Sequence, residues 1–130
     1  MVGIVIVSHS AQIAEGIKTL AGQMAGASQK IIAAGGMVDG SIGTDAVRIS
    51  EAIAVADTGD GVLILVDLGS AIISTETAFE FLEPEVASRV VIADAPIVEG
   101  AISAAVQASI GSTLEEVKAA AEMAKAMQKL

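Results

Sequence analysis

Cysteine, tryptophan and tyrosine are absent from the 130 residues, histidine occurs once, and Lys and Arg together number 7 against 16 Asp and Glu. Without cysteine there is neither a disulfide framework nor a thiolate metal site, and a lone histidine cannot build a multi-histidine zinc site. Only a carboxylate-held magnesium ion stays open, and Asp39, Asp45, Asp57 and Asp60 are scattered over loops and helix ends, so no metal site is expected. The formal charge of −9 repels nucleic-acid phosphates, and two Phe residues offer almost no stacking platform. A nucleic-acid partner is therefore excluded.

Long hydrophobic runs are missing too. Hydrophobic residues make up 53% of the chain and the mean hydropathy is +0.70. The apolar residues nevertheless lie in short blocks, and no stretch of about 18 residues is both uncharged and mainly apolar, so no bilayer span is expected. The opening MVGIVIVSHS has no basic leader and too short an apolar run for a signal peptide. It reads as the first strand of a cytoplasmic protein.

What is present is an alternation. Short β-branched blocks at Gly3–Val7, Lys30–Ala34, Val62–Val66 and Val90–Ala93 are separated by segments of helical period. Their near-continuous hydrophobicity suits strands buried on both faces. The expected fold is a single α/β domain over residues 1–130, doubly wound, with a four-stranded parallel sheet of order 2-1-3-4 and helices on both faces. Ile13, Ile17, Leu20 and Met24 mark one helix stripe entered at Ser10. A second helix runs from Asp45 to about Ala56 with Thr44 as its N-cap. A third spans roughly Ser70 to Leu82 and stops before Pro84. A fourth opens at Asp94 and Pro96, carries Ile102, Ala105, Val106 and Ile110, and closes at Gly111. The last begins with a capping box, Ser112 to Glu115. Met24, Met123 and Met127 are expected as packing residues.

In the order 2-1-3-4 the winding reverses between strands 1 and 3, which places ligand or chemistry at their C-terminal ends. Those ends are Ser8-His9-Ser10 and Asp67-Leu68-Gly69-Ser70. His9 precedes a helix N-terminus, where free N–H groups and the helix dipole favour an anion, so a phosphoryl group on its ring would sit in that field. The alternative is a histidine that merely helps close the turn. Asp67, at the matching place on the neighbouring strand, could accept a hydrogen bond from one ring nitrogen and leave the other as a free lone pair ready to attack phosphorus. Its alternative role is an N-cap for the helix near Ser70. Two glycine-rich loops frame the same edge, and Gly36, Gly40 and Ser70 are candidate phosphoryl neighbours. No Walker or dinucleotide-binding glycine pattern is present. No Lys or Arg falls within the three residues after a strand end, Arg48, one turn into the second helix, being the nearest exception, so a self-sufficient ATP-using kinase is not expected. A relay domain that borrows charge stabilisation from its partners fits better.

The opening Gly3-Ile-Val-Ile-Val-Ser-His-Ser10, the loop Ala34-Gly-Gly running into Asp39-Gly-Ser-Ile-Gly-Thr-Asp45, and Leu65-Val-Asp-Leu-Gly-Ser-Ala71 together resemble the DhaM family. Its members are the phosphoryl-donor subunits of phosphotransferase-system-dependent dihydroxyacetone kinase and relatives of the mannose-type enzyme IIA domains. The resemblance covers essentially the whole chain. It implies that His9 is phosphorylated by the phosphocarrier HPr, itself charged from phosphoenolpyruvate through enzyme I, and that Asp67 orients the ring. The phosphoryl group would then pass to ADP held with Mg²⁺ on a partner subunit, DhaL, and the ATP formed would phosphorylate dihydroxyacetone on DhaK. This chain would carry no cofactor of its own and would act as a phosphotransferase subunit, a covalent carrier, in a homodimer. Some members add HPr-like and enzyme I-like domains; a chain ending at Leu130 would rely on separate proteins for both.

Mannose-type relatives that serve sugar permeases have a longer loop after the corresponding Asp. Asp67-Leu-Gly-Ser-Ala71 therefore favours the dihydroxyacetone branch, with a permease IIA component as runner-up. A receiver-type module would need an acidic group after strand 1 and a lysine after a late strand, where this chain has Ser8-His9-Ser10 and Asp94-Ala95-Pro96. A flavin- or nucleotide-binding module would need an aromatic near the loops, and both Phe residues lie at the end of the third helix.

Overall fold

The computed structural model describes residues 1–130. Four strands, β1 (Gly3–Ser8), β2 (Ile31–Gly35), β3 (Val62–Val66) and β4 (Val90–Ile92), form one sheet. All pairings are parallel and the order is β2-β1-β3-β4, as the alternation of blocks predicts. Six helices connect or follow them: α1 (Ala11–Ala25), α2 (Ala46–Ala56), α3 (Gly69–Phe79), α4 (Pro84–Ala87), α5 (Ile97–Ser109) and α6 (Leu114–Met123), the last running into a 3₁₀ turn at Ala124–Ala126. No helix is long and apolar enough to cross a membrane.

Successive side chains of a strand point to opposite faces, and this divides the core in two. Ile4, Ile6, Leu63 and Leu65 pack with α1, α5 and α6. Val5, Val7, Val62, Ile64 and Val66 pack with α2 and α3. β1 and β3 are buried along their whole length. Each of their large side chains contributes roughly 1.5–3 kcal/mol by leaving water. α1 and α5 answer these bulky strands mainly with small residues, whereas α2 sends in Ile49 and Ile53. α1 buries Ala14, Ile17 and Ala21, and α5 buries Gly100, Ala101, Ala104, Ala105 and Ala108.

That division of sizes corrects several helix faces expected from spacing. Ile13, Leu20 and Met24 are 50%, 47% and 62% exposed; only Ile17 of that stripe is buried. The alanine row beside it takes the sheet-facing place, because a short side chain lets the helix sit close. Val106 on α5 and Ile110 at its C-cap are exposed for the same reason, and so are Met123 and Met127, which are not core residues. The N-cap of α2 is Asp45, whose carboxylate accepts from the N–H of Val47 and Arg48; Thr44 instead hydrogen-bonds Ser74 on α3 at 2.6 Å. The capping box of α6 lies one residue later than expected, between Thr113 and Glu116. Pro84 stands at the first position of α4, where its missing N–H and fixed φ suit a helix start, so it opens an element as well as following one.

At the edge of the sheet away from the switch point, Asp57, 6% exposed, receives a fork of hydrogen bonds from Arg89. The Arg89 guanidinium, against the opposing effect of burial, holds the Asp57 carboxyl below its usual range. The pair ties the end of α2 to the start of β4.

The join between β2 and α1 is the tightest that bears on the switch point. A Cβ on Gly35 would lie 2.6 Å from the Ser10 carbonyl oxygen, 2.8 Å from Ala14 Cβ and 2.9 Å from Ala11 Cα. Gly16, on the exposed side of α1, has open space around it. Gly35→Ala is expected to destabilise the chain by about 1–3 kcal/mol through overpacking. Gly16→Ala is expected to stabilise it by about 0.5–1 kcal/mol. Urea denaturation of the two variants beside the parent measures both signs.

Candidate functional site

Parallel pairing of β1 with β3 aligns Val7 with Val66. One further step along each chain places Ser8-His9 against Asp67, so residues 58 positions apart in sequence meet at the C-terminal edge. Asp67 is the hub of this edge. Its Oδ2 accepts the Ser8 hydroxyl at 2.8 Å and the His9 backbone N–H at 2.9 Å. Its Oδ1 accepts from the Leu68 backbone N–H at 2.7 Å and faces His9 Nδ1 at 2.9 Å.

An ionised carboxylate has only acceptors to offer, so Nδ1 is the protonated nitrogen and donates. In the neutral ring Nε2 then carries the lone pair. Ser70 Oγ lies 2.8 Å from Nε2 and donates to it by the same logic. The His9 and Asp67 side chains are 21% and 14% exposed, so the pair is shielded while the Nε2 end reaches the surface beside the exposed Ser70. Partial burial pushes the Asp67 carboxyl up. The hydrogen bonds from the His9 backbone and ring, Ser8 and Leu68 outweigh burial and hold it below the usual carboxylate range.

Helix termini complete the setting. α1 is capped by Ser10, whose hydroxyl accepts from the Ile13 N–H. α3 begins at Gly69 with no side-chain cap, because its N-cap residue is Leu68; Asp67, one residue earlier, turns its carboxylate to His9 and does not serve as N-cap. The first-turn amides of α3 and the positive end of its dipole thus adjoin Ser70 and, through it, Nε2. An open cleft of about 400 Å³ runs along the other side of Asp67, between the start of α3 and the β4–α5 turn, lined by Leu68, Ile72, Ile92 and Asp94 among others.

The structure brings His9, Asp67 and Ser70 together. Gly36 adjoins the same turn, but its N–H donates to the Ser8 carbonyl at 3.1 Å. Gly40 lies on the exposed loop with its N–H on the Met37 carbonyl at 3.0 Å. Neither amide is turned to an incoming anion. Arg48 donates to the Met37 carbonyl and so braces this loop from within. Two contributions escape a reading by residue type. The Gly43 N–H donates to the His9 carbonyl at 2.8 Å, pinning the β2–α2 loop over the histidine turn. Ser8 is fully buried at the strand end; the alternation of side chains along β1 and the step-by-step register with β3 are the signals that point to it.

The family profile described as "PTS system fructose IIA component" (EIIA-man) matches residues 3–118. Over 117 residues the chain is 43% identical to the protein named PEP-dependent dihydroxyacetone kinase 2, phosphoryl donor subunit DhaM, of Listeria innocua; the match covers 90% of this chain and 94% of that one. Over 120 residues it is 47% identical to the PEP-dependent dihydroxyacetone kinase phosphoryl donor subunit DhaM of Escherichia coli, covering 90% of this chain but 25% of that protein. A crystal structure of a protein of unknown function, EF1359, superposes with a TM-score of 0.82 at 38% identity, over 94% of both chains. The matched segment runs from the first strand into the last helix, and the chain belongs to the EIIA-man family of phosphotransferase-system IIA components.

Proposed function

We propose that this chain is the phosphoryl-donor subunit of a phosphoenolpyruvate-dependent dihydroxyacetone kinase, a phosphohistidine relay that accepts the phosphoryl group on His9 Nε2. The observation that carries the reading is the polarised ring, with Nδ1–H on Asp67 and Nε2 reaching solvent beside Ser70. The DhaM names of its relatives supply the branch. The partners proposed are HPr as donor and a kinase subunit of DhaL type, holding ADP and Mg²⁺, as acceptor.

In the first half-reaction the Nε2 lone pair attacks phosphorus on the carrier. The Nε2–P bond forms as the bond to the carrier breaks and its electron pair returns to the carrier. Nδ1 keeps its proton throughout. The ring therefore gains positive character while it is bonded to phosphorus, and the adjacent Asp67 carboxylate stabilises that charge. The Ser70 hydroxyl, which donates to Nε2 in the resting ring, releases it as the Nε2–P bond forms and turns to a phosphoryl oxygen, beside the backbone donors of the uncapped start of α3. In the second half-reaction a terminal phosphate oxygen of ADP attacks phosphorus, and the Nε2–P pair returns to the ring. The chain lacks the cationic clamp that a nucleotide would require, in keeping with a nucleotide held by the partner.

Incubation with phosphoenolpyruvate, enzyme I and HPr is expected to add a single phosphoryl mass to the intact protein, discharged on addition of DhaL·ADP. A phosphoryl group that persists would assign the chain to the permease branch, and no gain at all would overturn the relay. His9→Ala is expected to abolish uptake. Asp67→Ala is expected to slow it by about 10-fold or more, the worth of a hydrogen bond to a charged group, in single-turnover transfer from phospho-HPr. Because the folded-state pKa of Asp67 is depressed, its contribution to stability is fully present above the ordinary carboxylate range and is lost as pH falls through the lowered folded value. The stability gap between the parent and Asp67→Asn should therefore shrink on acidification, as measured by urea denaturation at neutral and at acid pH.

A further inference from the structure

Ser8 takes no part in either half-reaction, yet it is completely buried and its hydroxyl has two defined partners. It accepts from the Ser10 backbone N–H at 3.1 Å and donates to Asp67 Oδ2 at 2.8 Å. With one side of the oxygen taken by a donor that cannot reverse, the hydroxyl hydrogen has a single direction left. The result is a one-way chain from the first amide beyond His9, through Ser8, to the far oxygen of the carboxylate that holds the ring.

A carboxylate that grips Nδ1 through one oxygen can still rotate about its Cβ–Cγ bond. The Leu68 N–H also holds Oδ1, and a grip on the other oxygen completes the fixing of the carboxylate plane. Oδ2 has two such contacts, the His9 N–H and the Ser8 hydroxyl, and only the second comes from a side chain. Rotation would tip Oδ1 away from Nδ1 and lessen the preference for the Nδ1–H tautomer, which is the one that leaves Nε2 with its lone pair.

We propose that Ser8 is a positioning residue of the relay: through Asp67 it fixes the tautomer and orientation of the His9 ring. The inference rests on His9 as the phosphoryl acceptor for its kinetic consequence, but its structural part stands on the ring alone. Ser8→Ala removes the donor to Oδ2 and leaves the Ser10 N–H without its acceptor. Ser8→Thr keeps the hydroxyl, and Ser8→Cys keeps the volume while offering only a weak donor.

The test has two readouts on the full chain. The first is the pair of imidazole ¹⁵N shifts, recorded by long-range ¹H–¹⁵N correlation on the unphosphorylated protein at a pH where the ring is neutral. The second is single-turnover phosphoryl transfer from phospho-HPr. In the parent, the shifts are expected to show a protonated Nδ1 and an unprotonated Nε2. In Ser8→Ala and Ser8→Cys they are expected to move toward each other as the second tautomer is populated, with transfer slowed roughly 10-fold, the lower end for a charge-assisted hydrogen bond. Ser8→Thr is expected to restore both.

Parent-like shifts in Ser8→Ala and Ser8→Cys would overturn the proposal. So would slower transfer with unchanged shifts, because the hydroxyl would then act through the fold alone. If Ser8→Ala does not fold, the volume-conserving Ser8→Cys decides. If the parent takes up no phosphoryl group, the relay reading fails while the shifts still decide the positioning role.

Discussion

A carboxylate has about four lone-pair directions to fill, and at Asp67 all of them are taken by donors from the last residue of β1, the histidine after it and its own chain neighbour. Most of the switch point depends on this saturation. It grips His9 twice, by its backbone and by its ring, so the turn and the imidazole are fixed by a single anion. The residue after Asp67, Leu68, is the N-cap of α3 and offers no side-chain acceptor, so that helix start stays open. The carboxylate also draws Ser8 inward at a position where an apolar residue would have served packing better. The buried serine is a local loss for the core that an anionic centre makes worthwhile.

The parts of the molecule that could be read from sequence are those governed by long-range averages. Four β-branched blocks separated by helical segments are enough to define a parallel sheet, and handedness then leaves few orders; the observed β2-β1-β3-β4 sheet is the one expected. The location of His9 and Asp67 followed from that order, since both stand at the strand ends flanking the reversal. Details set by a choice between adjacent residues did not come through. Thr44 and Asp45 are both good caps, and so are Ser112 and Thr113. Which of each pair acts is decided by where the chain must turn to meet α3 or α5.

The misjudged helix faces have a different origin. Spacing finds a face by looking for large aliphatic residues, whereas at α1 and α5 the sheet supplies the bulk and the helices supply mainly alanine. Ile13, Leu20 and Met24 form a genuine stripe, but it is rotated away from the contact line drawn by Ala14, Ile17 and Ala21. Ser8 stands among the strand-end residues legible in the sequence, but its residue type assigns it no role. A serine at a strand end is unremarkable by type, and its meaning lies in a register that carries Asp67 alongside it.

The partners at the switch point are separated by almost half the chain, and no contact within β1, α1 and β2 can substitute for β3. A growing polypeptide that has completed its first βαβ unit already possesses the histidine and the capped helix behind it, but the ring is free to turn and either nitrogen can hold the proton. Pairing of β1 with β3 is a long-range closure of the kind that forms late and slowly. Chemical competence therefore arrives with the central strand pair, and an immature or partly opened chain presents an ordinary surface imidazole.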